Sequence, residues 1–126
     1  MHWIARRTRL VLSDDGIQLH QFGFTLETAW DNIESLYNVP GQEGLVLHRP
    51  MEGRGASRLA ALRNTHVQGA RMYSEEQIQL IGEQRFIPLS PFAYWLKKGQ
   101  LRDDLARRAP TMTLLEKSEL VKQRQF

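Results

Sequence analysis

Asp103 and Asp104 are the first residues in this chain whose pairing invites a catalytic reading, because two carboxyls can share acid and base work. Their adjacency argues against it. Neighbours on a helix point in different directions, whereas acid–base chemistry needs groups that converge. Ion pairs one helical turn away suit them better, Asp103 with Arg107 and Asp104 with Arg108. The four histidines, His2, His20, His48 and His66, are scattered. None has the i, i+4 or alternate-strand companion that a metal pair requires. With no cysteine, disulfides and thiolate metal sites are excluded. Gly53-Arg-Gly55 is too short, and follows no clear strand, to cradle a phosphate. No nucleophile elbow or metalloprotease motif occurs. The expectation is a non-enzyme with no cofactor, no metal and no small-molecule substrate.

Charge offers more. Thirteen of the 17 basic residues are arginine, against 14 acids, for a net charge of +3. Such a balance modestly favours acidic partners. Arg7 and Arg9, with Arg54, Arg58, Arg63 and Arg71, form the candidate binding patch. Acids at Asp14, Asp15, Glu75, Glu76, Asp103 and Asp104 interrupt the basic stretches, as a solvated surface requires. Single-stranded nucleic acid needs exposed aromatic platforms, and only Tyr37 and Tyr73 are available, neither near a basic stripe. Protein therefore ranks ahead of nucleic acid as the acidic partner.

The elements that position these residues are mainly strands. From Ile4 to Leu12 the even positions carry Ile4, Leu10 and Leu12 while Arg7 and Arg9 are odd, which predicts one half-buried strand with both arginines outside. Ser13-Asp-Asp-Gly16 favours a tight hairpin through a residue that tolerates positive φ and a glycine that prefers it. Ile17 and Leu19 alternate with Gln18 and His20; Phe24, Leu26, Thr28 and Trp30 then share a face. Ile33 to Val39 and Leu45 to Leu47 are further strands. Trp30 and Ile33 are the expected core anchors of this half.

Residues 50–73 read as a mobile loop, with one or two helical turns from Ser57 to Arg63 as an option. Ser74-Glu-Glu-Gln77 is a capping box opening a short helix that Gly82 ends. Phe86 to Leu89 is a strand in which Pro88 demands an edge or terminal position. Ser90-Pro91 starts a helix running to Gly99, with Phe92 and Trp95 turned inward. Leu101 and Leu105 lie on one face of a second helix, which Pro110 stops. Thr111 to Phe126 extends as a weakly amphipathic helix or frays.

Two stretches carry a resemblance. Leu12-Ser-Asp-Asp-Gly-Ile-Gln-Leu19 followed by Thr28-Ala-Trp-Asp-Asn-Ile-Glu-Ser-Leu36 is similar to bacterial pleckstrin-homology-like (PH-like) domains, and Phe86-Ile-Pro-Leu-Ser-Pro-Phe92 suits the segment before their helix. The resemblance covers about residues 4–48 well and 85–109 loosely. It implies an α+β, mainly β fold: an antiparallel roll or partly open seven-strand barrel with a C-terminal capping helix. It also implies a binding or assembly module. One departure matters. Lipid-binding members of the wider superfamily use basic residues around the first hairpin loop, and here that loop carries Asp14 and Asp15. Inositol phosphates are disfavoured there, and peripheral membrane contact with them.

At 126 residues the chain suits one domain, expected over 1–110 with a tail over 111–126. The start, Met1-His-Trp-Ile-Ala-Arg-Arg7, lacks the apolar core of a signal peptide, and no stretch has the ~20 apolar residues of a membrane span, so a cytoplasmic bacterial protein is expected. Its expected activity is binding protein or associating with itself through a strand edge; the alternative is weak electrostatic binding of nucleic acid or lipid headgroups through the arginines.

Overall fold

The computed structural model describes residues 2–5, 8–21, 24–52 and 74–116. Among these residues two four-stranded sheets and three short helices make an α+β fold dominated by strand. The first sheet is a meander of β1 (His2–Ala5), β2 (Thr8–Leu12), β3 (Ile17–Gln21) and β4 (Phe24–Thr28), each antiparallel to the next. The second contains β5 (Ile33–Asn38), β6 (Gly44–Leu47), β7 (Phe86–Pro88) and β8 (Thr113–Glu116) in the order β7-β6-β5-β8. Among the described residues no ladder joins the sheets and no closed barrel forms. Among the described residues no helix is long and apolar enough to cross a membrane.

The stretch expected as one strand from Ile4 to Leu12 is two. β1 and β2 pair antiparallel, Trp3 opposite Leu10 and Ile4 opposite Arg9. Cross-strand partners share a face and paired positions here differ in parity, so the reversal moves the inward set from even to odd numbers. Trp3 therefore packs on the core, and Ile4 is 62% exposed. The inward row continues through Leu19 and Leu26, both buried.

The hairpin between β2 and β3 closes without the expected backbone. Neither Asp15 nor Gly16 has positive φ. Glycine is needed at 16 for another reason: a Cβ there would lie 2.2 Å from the Thr28 carbonyl oxygen, at the end of β4. The loop is held by Ser13 N–H and Ser13 Oγ, both donating to Gly16 O, at 3.0 and 3.3 Å.

Strand alternation ends at Thr28, and Trp30–Asn32 forms a 3₁₀ turn that carries the chain into the second sheet. Asn32, buried and unremarked in the sequence, holds that crossing. Its Nδ2 donates to Thr28 Oγ1 (2.9 Å) and Arg49 O (3.0 Å), and its Oδ1 accepts from Arg49 N–H (2.8 Å). Buried amides are stable only when satisfied in this way.

α1 (Glu75–Gly82) starts with the full capping box of Ser74 and Gln77. Gln77, fully buried, also donates from Nε2 to Gln42 O at 2.9 Å, tying α1 to the β5–β6 loop. Gly82 is the last helical residue, but the left-handed position falls on Gln84, at φ 62°. β7 is an edge strand with Pro88 as its final residue, where a missing N–H costs nothing. A 3₁₀ turn over Ser90–Phe92, with Pro91 in it and Leu89 at its cap position, leads into α2 (Ala93–Lys98). Gly99 then turns the chain at φ 94°, a conformation that glycine accepts without strain, into α3 (Gln100–Arg108).

Phe92, Leu96, Leu101 and Leu105 are fully buried in one cluster with Leu10, Leu19, Ile33 and Leu36, so α2 and α3 close the space between the sheets. A smaller cluster of Val46, Ile81 and Phe86 lies under α1. Two further expectations change. Part of the expected helical or frayed tail is β8, parallel to β5 with Leu114 opposite Leu36; the free side of β5 offers a ladder, and pairing overrides weak helical propensity. Met51, expected in a mobile loop, is buried, its N–H donating to Gln84 O at 2.7 Å.

Candidate binding surfaces

Of the candidate patch, Arg9 is the described member. It is exposed on the outer face of β2, opposite Ile4 and His20. Arg7, Arg54, Arg58, Arg63 and Arg71 lie outside the described residues, as do Tyr73 and His66. The strand carrying Arg9 is described from Thr8 onward, so the expected spacing of Arg7 and Arg9 along one strand falls outside the described residues. Around Arg9 the outer face is a polar ladder. Gln18 Nε2 donates to Glu27 at 2.9 Å, and His20 lies 3.2 Å from both Gln18 Oε1 and Thr25 Oγ1.

The other described arginines are engaged by carboxylates. Arg49 meets Asp31 at 3.7 Å; Arg85 bridges Glu34 (3.5 Å) and Glu83 (3.1 Å); Arg102 bridges Asp103 (3.3 Å) and Glu116 (3.6 Å). Asp104 takes both Arg107 and Arg108, the latter at 3.3 Å. The expected pair of Asp103 with Arg107 is thus replaced, because Asp104 is the carboxylate that faces inward, only 7% exposed. Arg108 also reaches Asp14 in the first hairpin loop at 3.8 Å.

Trp30 sits where that loop meets α3. Its indole N–H donates to Ser13 O at 2.7 Å, and the Arg108 guanidinium lies 5.9 Å from its ring centre. It is partly buried against the main cluster rather than enclosed, whereas Ile33 is enclosed. Trp30 clamps a loop to a helix from the rim, since the 3₁₀ turn lifts it out of the strand face that carries Leu26. Phe92 is fully buried; Trp95 is partly buried, 6.0 Å from the Phe92 ring and 5.8 Å from that of Trp3. A shallow hollow of about 240 Å³ beside the loop includes Asp15 and Glu27 in its wall, an acidic setting.

The larger opening was not foreseen. Trp3 on β1 and Gln100, Asp103, Asp104 and Arg107 on α3 line a cleft of about 570 Å³. Two of these lining residues each hold a buried polar atom, Trp3 Nε1–H and Asp104 Oδ2, without a hydrogen-bond partner among the described residues. Leaving such groups unpaired costs about 1–3 kcal/mol each. The sequence signal was thin: a tryptophan three residues into the chain, and an acid one position from another.

Two groups are electrostatically displaced. Glu43, buried before β6, has its carboxyl pushed up by burial, partly opposed by hydrogen bonds from the backbone of Glu43 and Gly41. Burial, then Glu76 and Glu34, raises the Tyr37 hydroxyl; its ring packs against the smaller cluster and is no open platform for a base. Among the described residues no three histidines or acids cluster as a metal site. Neither a family model, nor a curated protein, nor a solved structure matches this chain.

Proposed function

We propose that this chain is a non-catalytic interaction module of PH-like fold that binds an extended protein segment along the free edge of β1. The observation that carries this reading is the character of that edge. Among the described residues β1 has a strand neighbour on one side only. Its four residues, His-Trp-Ile-Ala, contain no proline and no lysine, the usual guards against strand addition. β7, by contrast, is short and ends in proline. Ile4 stands 62% exposed on β1. Seven strands ahead of the closing helices is the number that the PH-like resemblance implies, while α1 between β6 and β7 and the parallel β8 are additions to it. Engagement of five of the six described arginines by acids favours this reading over electrostatic capture.

Capture from extract of the native host, with the wild type and Ile4→Pro compared, tests the reading. Hydrogen exchange on the captured complex then locates the contact. The expected result is slowed exchange at the β1 amides, lost capture with Ile4→Pro, and little change between low and high salt. Capture that ignores Ile4→Pro and falls steeply with salt would transfer the function to the arginines.

A further inference from the structure

We infer that the cleft between β1 and α3 is a binding site for a primary carboxamide. Two of the residues that line it, Trp3 and Asp104, carry the unpaired buried atoms. Trp3 Nε1–H is a donor only, and Asp104 Oδ2 is an acceptor only. Asp104 is more than nine-tenths buried, and its other oxygen already accepts from Arg107 and Arg108. Two guanidiniums compensate its charge, so Oδ2 calls for a hydrogen-bond donor and not for a further cation. The indole N–H calls for an acceptor. A carboxylate supplies only an acceptor and an ammonium only donors, so each would leave one partner unsatisfied. A hydroxyl has one oxygen to serve both, whereas a carboxamide carries a C=O and an NH₂ side by side on one plane and offers each a separate atom.

The room is of the right order. At about 570 Å³ the cleft far exceeds the ~30 Å³ share of a single water. Gln100 adds an amide to the rim, and the Trp3 ring, braced edge-on by Trp95 at 5.8 Å, provides an aromatic wall. Both unpaired atoms lie beneath the surface, so the ligand enters by displacing a side chain. Arg107 is suited to that movement, being 71% exposed along its side chain and held to Asp104 alone among the described residues.

This inference deepens the interaction-module reading and rests on it for the source of the group. In a strand added to β1, the residue opposite Trp3 faces the same side of the sheet as Trp3, so an asparagine or glutamine there would reach the cleft. A free small amide carries the same chemistry.

The test is a titration of the isotope-labelled whole chain, followed at the Trp3 indole N–H by NMR and assigned with Trp3→Phe. The probes are propionamide, propionate, propylammonium and propanol. Propionamide alone should shift the resonance saturably, with affinity on the order of millimolar for so small a ligand. Asp104→Asn, which keeps an oxygen for the arginines but can place an NH₂ where Oδ2 stood, should weaken propionamide at least tenfold. Saturation by propylammonium or propionate, equal binding of propanol, or no saturable shift would each overturn the proposal, and the wild-type panel decides it even if a variant misfolds. A glutamine-centred tripeptide then separates the sources. Tighter binding than propionamide with protection of β1 amides assigns the group to a partner segment; equal binding without protection assigns it to a free amide. In the second case the cleft stands and the β1-edge reading falls.

Discussion

Truncating Trp30 tests the clamp between the first hairpin and α3 most directly. A fully enclosed tryptophan replaced by alanine costs about 3–5 kcal/mol. Trp30 is only partly buried, so the packing loss is about half of that, roughly 1.5–2.5 kcal/mol on the same scale. The 2.7 Å bond to Ser13 O adds about 0.5–1 kcal/mol, near the low end because water reaches the site. Arg108 stands 5.9 Å from the ring, at the outer limit of a cation–π contact, which adds about 0.5 kcal/mol. Trp30→Ala should therefore cost about 3 kcal/mol. For a chain of this length that lowers Tm by roughly 10 °C. Trp30→Phe keeps most of the ring and loses the N–H, so about 1 kcal/mol is expected. Urea unfolding followed by far-ultraviolet circular dichroism measures both, and an unchanged m value would keep the comparison two-state. A loss below about 1 kcal/mol for the alanine variant would show the ring to be a bystander. A loss of about 5 kcal/mol would make it an enclosed core residue. Equal losses for the two variants would place the whole effect in the hydrogen bond.

The other expectations concern packing and pH. Phe92→Ala, at a fully enclosed side chain, should cost about 3–5 kcal/mol, while Ile4→Ala should stay within about 0.5 kcal/mol; denaturant midpoints in the reverse order would restore the single-strand phase. Gly16→Ala should destabilise by more than about 1 kcal/mol, since its Cβ would strike the Thr28 carbonyl at 2.2 Å; a thermal midpoint equal to that of the parent would refute the close approach. Burial raises the Glu43 carboxyl in the folded state, so the fold prefers it protonated. The associated stability is present below the unfolded pKa and is lost as pH rises through the folded value. Glu43→Gln should thus be more stable than the parent at neutral pH, with the advantage shrinking as pH falls through the raised folded value and gone below about pH 4; an advantage that grows on acidification would reverse the sign of the shift.

Local chemistry was legible wherever it depends on neighbours in the chain. Ser74 and Gln77 satisfy one another across three residues, Pro88 sits where an N–H is dispensable, and Gly99 marks the stop of α2. Alternation placed Leu10, Leu12, Ile17, Leu19 and Leu26 indoors, because a pleated strand has period two whatever it packs against. What the sequence could not decide was anything that depends on a partner far along the chain. A reversal between Ala5 and Thr8 exchanged the faces of Trp3 and Ile4, since antiparallel pairing swaps parity while local alternation looks the same. Thr113–Glu116 became a strand because β5 had an open side. Gly16 is required by a carbonyl twelve residues away rather than by its own φ. The β1–α3 cleft joins residue 3 to residues 100–107, so its unpaired donor and acceptor exist only once both sheets and the closing helices are in place. Composition and periodicity are properties of short segments; the burial of two unpaired polar groups in residues that line one cleft is a property of the packed whole.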